Sequence, residues 1–428
     1  MSEKSLQDWL RRLETLHPSE IDLGLDRVRT VARELDLLFP SVPVITVAGT
    51  NGKGSTIAAM ESILRVSGKK TGVFTSPHIT HYNERIRVNG IEVSDQQLCS
   101  TFEIIEAGRG EISLTYFEFG ALAALHIFSQ YELDFLLLEV GLGGRLDAVN
   151  IIDPKVAVIS SIDIDHTDWL GENIEQIALE KAGILREGIP FVCGDANCSE
   201  ILRKKAVNLH CSCFFLGKEI RWKKTDDAWS WYGCSLDNVK LEFERLPVTN
   251  LITDNIACAI QALVVAGFTP DQKNVREALE TVMLSGRMER LTRGKIEYII
   301  DVSHNPAAVK QLVKFLRAHP IEGRTGAIFA AMSDKDIHGM IQASAGSIEA
   351  WFIADLPKVP RAVKTDALTE ILRECGVQMI SVNKNPRQAL RRAQSLMGAG
   401  DRLVVFGSFY TVSDVKSALE KDSKKDNQ

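Results

Sequence analysis

The run Gly49-Thr50-Asn51-Gly52-Lys53-Gly54-Ser55-Thr56 follows an apolar strand pattern, Val44–Ala48, and leads into a helical one. Glycines let a backbone turn its N–H groups toward an anion, and a helix N-terminus adds favourable partial charge. Lys53 is placed to reach outer phosphates, and a hydroxyl at Ser55 or Thr56 to serve phosphate or Mg²⁺. The strict phosphate-loop pattern has about four residues between its glycines and a hydroxyl directly after the lysine. Here only Thr50 and Asn51 separate Gly49 from Gly52, and Gly54 follows Lys53. The loop is a variant, and a purely structural glycine turn stays open as the alternative.

Other residues invite chemistry less directly. Glu139 closes the apolar run Phe135–Leu138 and precedes a glycine-rich turn. In doubly wound sheets ligands bind outside the carboxyl ends of strands, which is where this acid should lie. An acid that merely caps the next element would look the same. Lys181 sits in a helical pattern beside Glu180, so an ordinary helical ion pair is its plain reading. Cys193, Cys198, Cys211 and Cys213, with His210 nearby, lack the paired two-residue knuckles of zinc ribbons, and free thiols are expected.

The elements that must hold these residues alternate. Strand patterns at Pro43–Gly49, Thr71–Thr75, Asp134–Val140, Val156–Ile162 and Ile189–Cys193 are separated by helical ones such as Thr56–Val66 and Glu118–Gln130. This βαβα order predicts a parallel sheet with helices on both faces. A second series runs through Ile296–Asp301, Thr325–Ala330, Ala350–Ala354 and Arg402–Gly407. Leu284–Met288 reads as a hinge, with glycine breaking a helix that begins near Asp271. The expected division is residues 1–286, residues 287–420 and a short frayed tail at 421–428. Between Cys211 and Asn250, the residues Trp222, Trp229, Trp231 and Tyr232 fit a small β-meander better than a stacking surface.

Bulk properties agree with two domains, since 428 residues exceed what one core usually supports. Hydrophobic residues make up 45% and charged residues 25%, as in ordinary soluble proteins. A net charge of −6 argues against a nucleic-acid partner but leaves small anionic substrates open. No stretch approaches the ~20 apolar residues of a membrane span. The N-terminus lacks the apolar core of a signal peptide. Cytoplasmic location is expected.

The variant loop resembles that of the Mur ligase superfamily of ATP-dependent amide-forming enzymes. Nearly the whole chain resembles the folate branch, the bacterial bifunctional dihydrofolate synthase/folylpolyglutamate synthases. The resemblance runs through Ile21–Leu25, Thr50–Ser55, Thr75–His78, Thr115–Glu118, Glu139–Ala148, Asp165–Thr167 and Glu180–Ile184. It continues in Asp301–Pro306, Asp334–Asp336 and Gly407–Phe409. It implies an N-terminal phosphate-loop domain with a doubly wound parallel sheet, like the Mur ligase central domain, and a smaller Rossmann-like C-terminal α/β domain. It also implies ATP as co-substrate, two Mg²⁺ ions, L-glutamate, and dihydropteroate and reduced folates as acceptors. A monomer is the expected state.

By the same resemblance, ATP is bound by Thr50, Asn51, Gly52, Lys53, Gly54, Ser55, Asn255, Arg287 and Asp301. Ser76 and Glu139 hold the first metal, His166 a second, and Lys181 is carbamylated to supply metal-binding oxygens. That modification needs a neutral amine, so burial or nearby cations must depress the lysine's pKa. Lys53, Lys181 and His166 form the implied catalytic set. The pterin falls to Asp22, Leu23, Gly24, Leu25, Thr115, Tyr116, Phe117, Glu118, Leu146, Asp147 and Ala148. His304 is assigned to phosphate or glutamate. Read without the resemblance, Asp22–Leu25 is a turn flanking a helix and Thr115–Glu118 the start of a buried one. Arg287 would then be a solvated hinge residue.

The implied reaction phosphorylates a carboxylate, and the amine of L-glutamate then displaces phosphate, with positioning and charge neutralisation doing the catalysis. Closure of two domains would protect the acyl phosphate from water. The nearest rival is an enzyme with the folylpolyglutamate activity alone. A cell-wall precursor ligase should lack the Asp22–Leu25 signature. A nucleotide-dependent switch would need neither a second substrate nor a modified lysine.

Overall fold

The computed structural model describes residues 4–19 and 21–426. They form two compact units that divide between Val282 and Met283. The helix Gln272–Thr281 ends ahead of this point, at Val282, whose backbone is extended (φ −63°, ψ 123°). Gly286 therefore lies beyond the helix end and does not itself break it, as the sequence had suggested.

The first unit is built on eight strands: β1 (Val44–Ala48), β2 (Thr71–Phe74), β3 (Ile86–Val88), β4 (Ile91–Glu92), β5 (Phe135–Glu139), β6 (Val156–Ile159), β7 (Pro190–Cys193) and β8 (Ser212–Phe215). Their order is β4-β3-β2-β5-β1-β6-β7-β8. From β2 to β8 the pairing is parallel, while β3 and β4 add an antiparallel edge. The apolar run Val44–Ala48 is buried along its whole length, as a central parallel strand covered on both faces must be. The helices Lys53–Val66, Thr253–Val265 and Gln272–Thr281 pack together. Trp9, Phe102, Phe119 and Phe128, from other helices, share a core with strand residues such as Phe74 and Leu138.

Between β5 and β6 the chain order reverses about β1, because β2 lies beyond β5 while β6 to β8 run off on the other side. The carboxyl end of β1 is thus the topological switch point, where open α/β sheets bind ligands. The phosphate-loop residues occupy it.

A three-stranded antiparallel sheet, β9 (Arg221–Lys224), β10 (Ala228–Cys234) and β11 (Lys240–Pro247), is the expected meander. Trp229 and Trp231 are buried, and Trp231 stacks on Phe243 and donates its indole N–H to the Ala257 carbonyl at 3.0 Å. Packing, not ligand stacking, accounts for those two tryptophans.

The second unit is a six-stranded sheet of β12 (Glu289–Arg293), β13 (Ile296–Ile300), β14 (Thr325–Phe329), β15 (Ala350–Ala354), β16 (Met379–Asn383) and β17 (Arg402–Phe406), ordered β12-β13-β17-β14-β15-β16. Only the edge strand β12 is antiparallel. The last helix, Phe409–Asp426, continues through most of the segment expected as a frayed tail, and residues 427–428 lie outside the described residues. Among the described residues no helix is long and apolar enough to cross a membrane.

Candidate active site

The loop after β1 is strapped to the end of β6. The Thr50 N–H donates to the Ser161 carbonyl at 2.9 Å, and its hydroxyl exchanges hydrogen bonds with the Asp163 backbone. The Asn51 N–H donates to the Ser161 hydroxyl, while Ser160 and Ser161 both donate to the Asn51 carbonyl at 2.7 and 2.9 Å. Gly49 lies flush on Ser160, where a Cβ would meet Oγ at 2.0 Å. Gly52 adopts φ +90° against the side-chain amide of Asn255, so both glycines are required by close approach. Asn255 is buried and its Nδ2 has no hydrogen-bond acceptor among the described residues. Lys53 Nζ lies over the loop, donating to the Gly49 carbonyl at 2.8 Å. The Thr56 hydroxyl is spent on the Gly52 carbonyl, which leaves Ser55 as the better of the two candidate hydroxyls.

Lys181 ends the helix Ile174–Lys181 and is only 3% exposed. Burial drives its pKa down to about 7; the Lys53 ammonium pushes it further down, and Asp165 opposes both. A lysine in that state is about half neutral at pH 7, as carbamylation requires. Lys53 also acts on Asp147, whose carboxyl burial pushes up to about 7 despite N–H donation from Leu142, Val149 and Gly141. One loop cation therefore faces a buried lysine and a buried acid.

Glu139 is buried at the end of β5 and accepts the Ser76 N–H at 3.0 Å, so Ser76 and Glu139 adjoin. His166 follows Asp165 in the left-handed region (φ 52°) and opens the short helix Thr167–Leu170. That helix is anchored by Leu170, which would meet a Cβ at Gly143 at 2.8 Å. Among the described residues no three His, Cys, Asp or Glu side chains gather closely enough to hold a metal ion. Ser76 and Glu139, joined by that hydrogen bond, nonetheless offer oxygen donors of the kind Mg²⁺ prefers.

Two of the segments expected to hold the pterin are joined by a residue the sequence reading passed over. Arg27 donates to the Asp22 carboxylate at 2.7 Å, to the Asp22 carbonyl at 2.8 Å and to Glu118 at 3.2 Å. Thr115 and Glu118 form a reciprocal capping box on the helix Tyr116–Ser129, the bland role anticipated for them. Leu23, Gly24 and Leu25 are half-buried, and a Cβ at Gly24 would meet nothing. Phe117 covers Gly141, and Tyr116 is half-buried. Leu146 is half-buried beside Asp147, while Ala148 starts the buried turn Ala148–Ile151. Asp147 caps that turn through Val149 N–H, so much of its carboxylate serves local structure.

In the second unit, Arg287 lies over the Phe409 ring at 5.5 Å and His304 packs on the same ring at 5.8 Å. Asp301 is buried and accepts N–H groups of Met288 and Ser303, both at 2.8 Å, which braces the segment before β12. The straps Ser160 and Ser161 and the bridge Arg27 were missed by sequence reasoning. Two serines directly after an apolar strand, beside the strand that feeds the loop, are the one signal from which the former could be read.

Residues 47–257 match the family described as the Mur ligase middle domain, and residues 286–409 match Mur ligase, glutamate ligase domain. The dihydrofolate synthase/folylpolyglutamate synthase of Haemophilus influenzae is 39% identical, over 97% of this chain and 98% of its own. The solved structure of Escherichia coli FolC in complex with DHPP and ADP agrees at a TM-score of 0.92 and 38% identity, over 98% of this chain and 99% of that one. A bifunctional folylpolyglutamate synthase/dihydrofolate synthase with Mn, AMPPNP and L-glutamate bound agrees at 0.89 and 39% identity, over 97% and 98%. A Mur-type phosphate loop at the switch point, with full-length likeness to these proteins, shows that the chain belongs to the dihydrofolate synthase/folylpolyglutamate synthase family of Mur ligases.

Proposed function

We propose that this chain joins L-glutamate to dihydropteroate, forming dihydrofolate, and to reduced folates, forming folylpolyglutamates, with ATP as co-substrate. The observation that carries the reading is the buried Lys181, held near neutrality, facing Lys53 of the phosphate loop. A nucleotide switch has no use for such a lysine. A ligase of this family does.

The acceptor carboxylate attacks the γ-phosphorus of ATP, the bond to the β-phosphate oxygen breaks, and ADP leaves. The glutamate amine then attacks the acyl carbon, its proton passes to solvent, and the bond to phosphate breaks. Thr50 to Ser55 cradle the phosphates, Lys53 neutralises charge that develops on them, and Asn255 holds Gly52 in register. Lys181 as a neutral amine adds to CO₂ and releases a proton, becoming a carbamate. Two Mg²⁺ ions would then be held by Ser76, Glu139, His166 and that carbamate, where they would neutralise phosphate charge. The first unit carries ATP and the pterin, the latter along Asp22–Leu25, Thr115–Glu118 and Leu146–Ala148. In the second unit Arg287 and Asp301 serve the nucleotide, and His304 serves phosphate or glutamate. The protein works as a cytoplasmic monomer.

A coupled assay for ADP release tests this, run with dihydropteroate and with a reduced folate, each with and without L-glutamate. ADP should appear only when acceptor and glutamate are both present, and with both acceptors. Release that ignores glutamate would overturn the ligase reading.

A further inference from the structure

Two arginines drawn into the interior, the buried Arg402 and the half-buried Arg87, carry counter-ions with them. Arg402 pairs with Glu297 and two carbonyls, and Arg87 forks onto Glu61. Arg85 breaks the pattern. It is 8% exposed, yet no carboxylate among the described residues forms an ion pair with it. Its Nε donates to His78 Nδ1 at 2.9 Å, and an imidazole accepting there brings no negative charge. The guanidinium carbon lies 5.4 Å from the ring centroids of both Tyr82 and Tyr116. The neighbouring acid, Glu84, spends its oxygens on the N–H groups of Ile79, Thr80 and His81. Neither terminal nitrogen of Arg85 has a protein acceptor among the described residues, and neither is fully sealed from solvent. What remains is a planar, always-charged fork packed against two aromatic rings and a histidine, with its terminal donors unmatched by any acceptor among the described residues.

Its surroundings indicate the ligand. Tyr116 opens the helix that carries Phe117, and Phe117 covers the glycine turn after Glu139. On the other side, His78 lies two residues after Ser76, whose N–H is bonded to Glu139. Arg85 thus stands between the pterin signature and the end of β5. We infer that Arg85 is a carboxylate receptor for the acceptor substrate, and that its ligand is the non-reacting α-carboxylate of a folate's glutamyl tail. The reacting carboxylate is a poor candidate, since a guanidinium clamped on both oxygens would quench the nucleophile that must attack phosphorus. A folate brings a second, spectator carboxylate; dihydropteroate has none. Arg85 therefore distinguishes the two acceptors. The inference rests on the ligase reading above.

The test compares wild type with Arg85→Met and Arg85→Lys on three acceptors: dihydropteroate, a reduced folate, and the same folate with its α-carboxylate replaced by carboxamide. Arg85→Met should lower kcat/KM for the folate by about 10- to 100-fold, mostly through KM. Arg85→Lys should recover part of that loss, having charge without the fork. Dihydropteroate ligation should fall far less than folate ligation, and a thermal melt close to that of wild type certifies the fold. In wild type the carboxamide should lose as much as the mutation does, and Arg85→Met should no longer tell carboxamide from carboxylate. Equal loss on both acceptors, or a carboxamide handled as well as the folate by wild type, would overturn the assignment. A wild type that consumes ATP with neither acceptor would instead overturn the ligase reading, and this inference with it.

Discussion

Gly52 lies against the side-chain amide of Asn255, so closely that a Cβ on the glycine would meet Oδ1 at 2.5 Å and Nδ2 at 2.7 Å. The contact ties the turn of the phosphate loop to the start of a helix far along the chain. It also explains why the left-handed φ of +90° is filled by glycine. Gly52→Ala should cost about 1–2 kcal/mol for the backbone alone. Displacement of the loop should cost on the order of 10²-fold in kcat/KM for ATP. Steady-state kinetics with ATP varied, beside a thermal melt, would check both. Wild-type kinetics in a folded Gly52→Ala would remove Asn255 from the nucleotide site.

Lys53→Ala should leave the fold intact, because the ammonium donates to the Gly49 and Thr50 carbonyls of its own loop rather than supporting the core. Turnover should fall by roughly 10²–10³, the usual scale for losing one charge-assisted contact to developing phosphate charge. Near-normal ligase activity would show that the loop does not bind the transferred phosphate.

The sequence was readable where one element's own residues decide its state. Val44–Ala48 has to be a central strand, because four apolar residues around a lone Thr46, before a glycine turn, suit burial on both faces, and it is buried throughout. The strands Ile86–Val88 and Ile91–Glu92 were not legible: they are only three and two residues long, too short for a periodic pattern, and the edge strand Ile91–Glu92 is exposed throughout. Site assignments followed the same division. Lys53 and Glu139 could be placed by their position after strands, whereas Lys181 looked like an ordinary helical lysine. Its unusual state comes from burial and from Lys53, which no local pattern encodes. Arg27 was overlooked for the same reason, since its partners Asp22 and Glu118 meet only in the folded chain.

Intact-mass analysis in bicarbonate, without acid, should find one added CO₂ on Lys181, and Lys181→Arg should be inactive because guanidinium forms no such carbamate. The pH dependence has a defined sign. In bicarbonate-free, metal-free buffer the folded lysine titrates at about 7 against an ordinary value of 10.5. Below pH 7 both states hold the proton and the cost of burying the cation is felt in full. Between the two values the unfolded chain binds a proton that the folded one does not. Stability should therefore rise with pH across that window, by at most about 1.4 kcal/mol per pH unit for one proton. Lys181→Met should abolish the slope. Lys53→Ala, by removing a repelling cation, should raise the pH at which the carbamate forms. Denaturant melts from pH 6.5 to 9.5 would expose a flat wild-type profile, and that result would mean Lys181 is not titrating there.

Arg27 gives the bifunctional reading a sharper test than Asp22 alone. Dihydropteroate presents a carboxylate fixed to its aromatic ring, while a folate presents the γ-carboxylate of a flexible tail. To deliver either to the same γ-phosphate, the pterin has to sit at two depths or in two sub-sites. Asp22 should hold the dihydropteroate position, so Asp22→Ala should depress that reaction more than glutamate addition to a reduced folate. The structure adds that the Asp22 carboxylate, 39% exposed, is engaged by Arg27 at 2.7 Å and His17 at 3.3 Å. Such an exposed pair contributes little to stability by itself. Its role would be to aim Asp22, with Glu118 fixing the far side of the guanidinium. Arg27→Met should then reproduce the Asp22→Ala selectivity, each costing about 1–3 kcal/mol in kcat/KM for dihydropteroate. The double variant should lose little more than either single one, because contacting residues in one network are not additive. Fully additive losses would make the two residues independent. Equal losses on both acceptors would mean one pterin position serves both reactions, and the two-depth reading would fall.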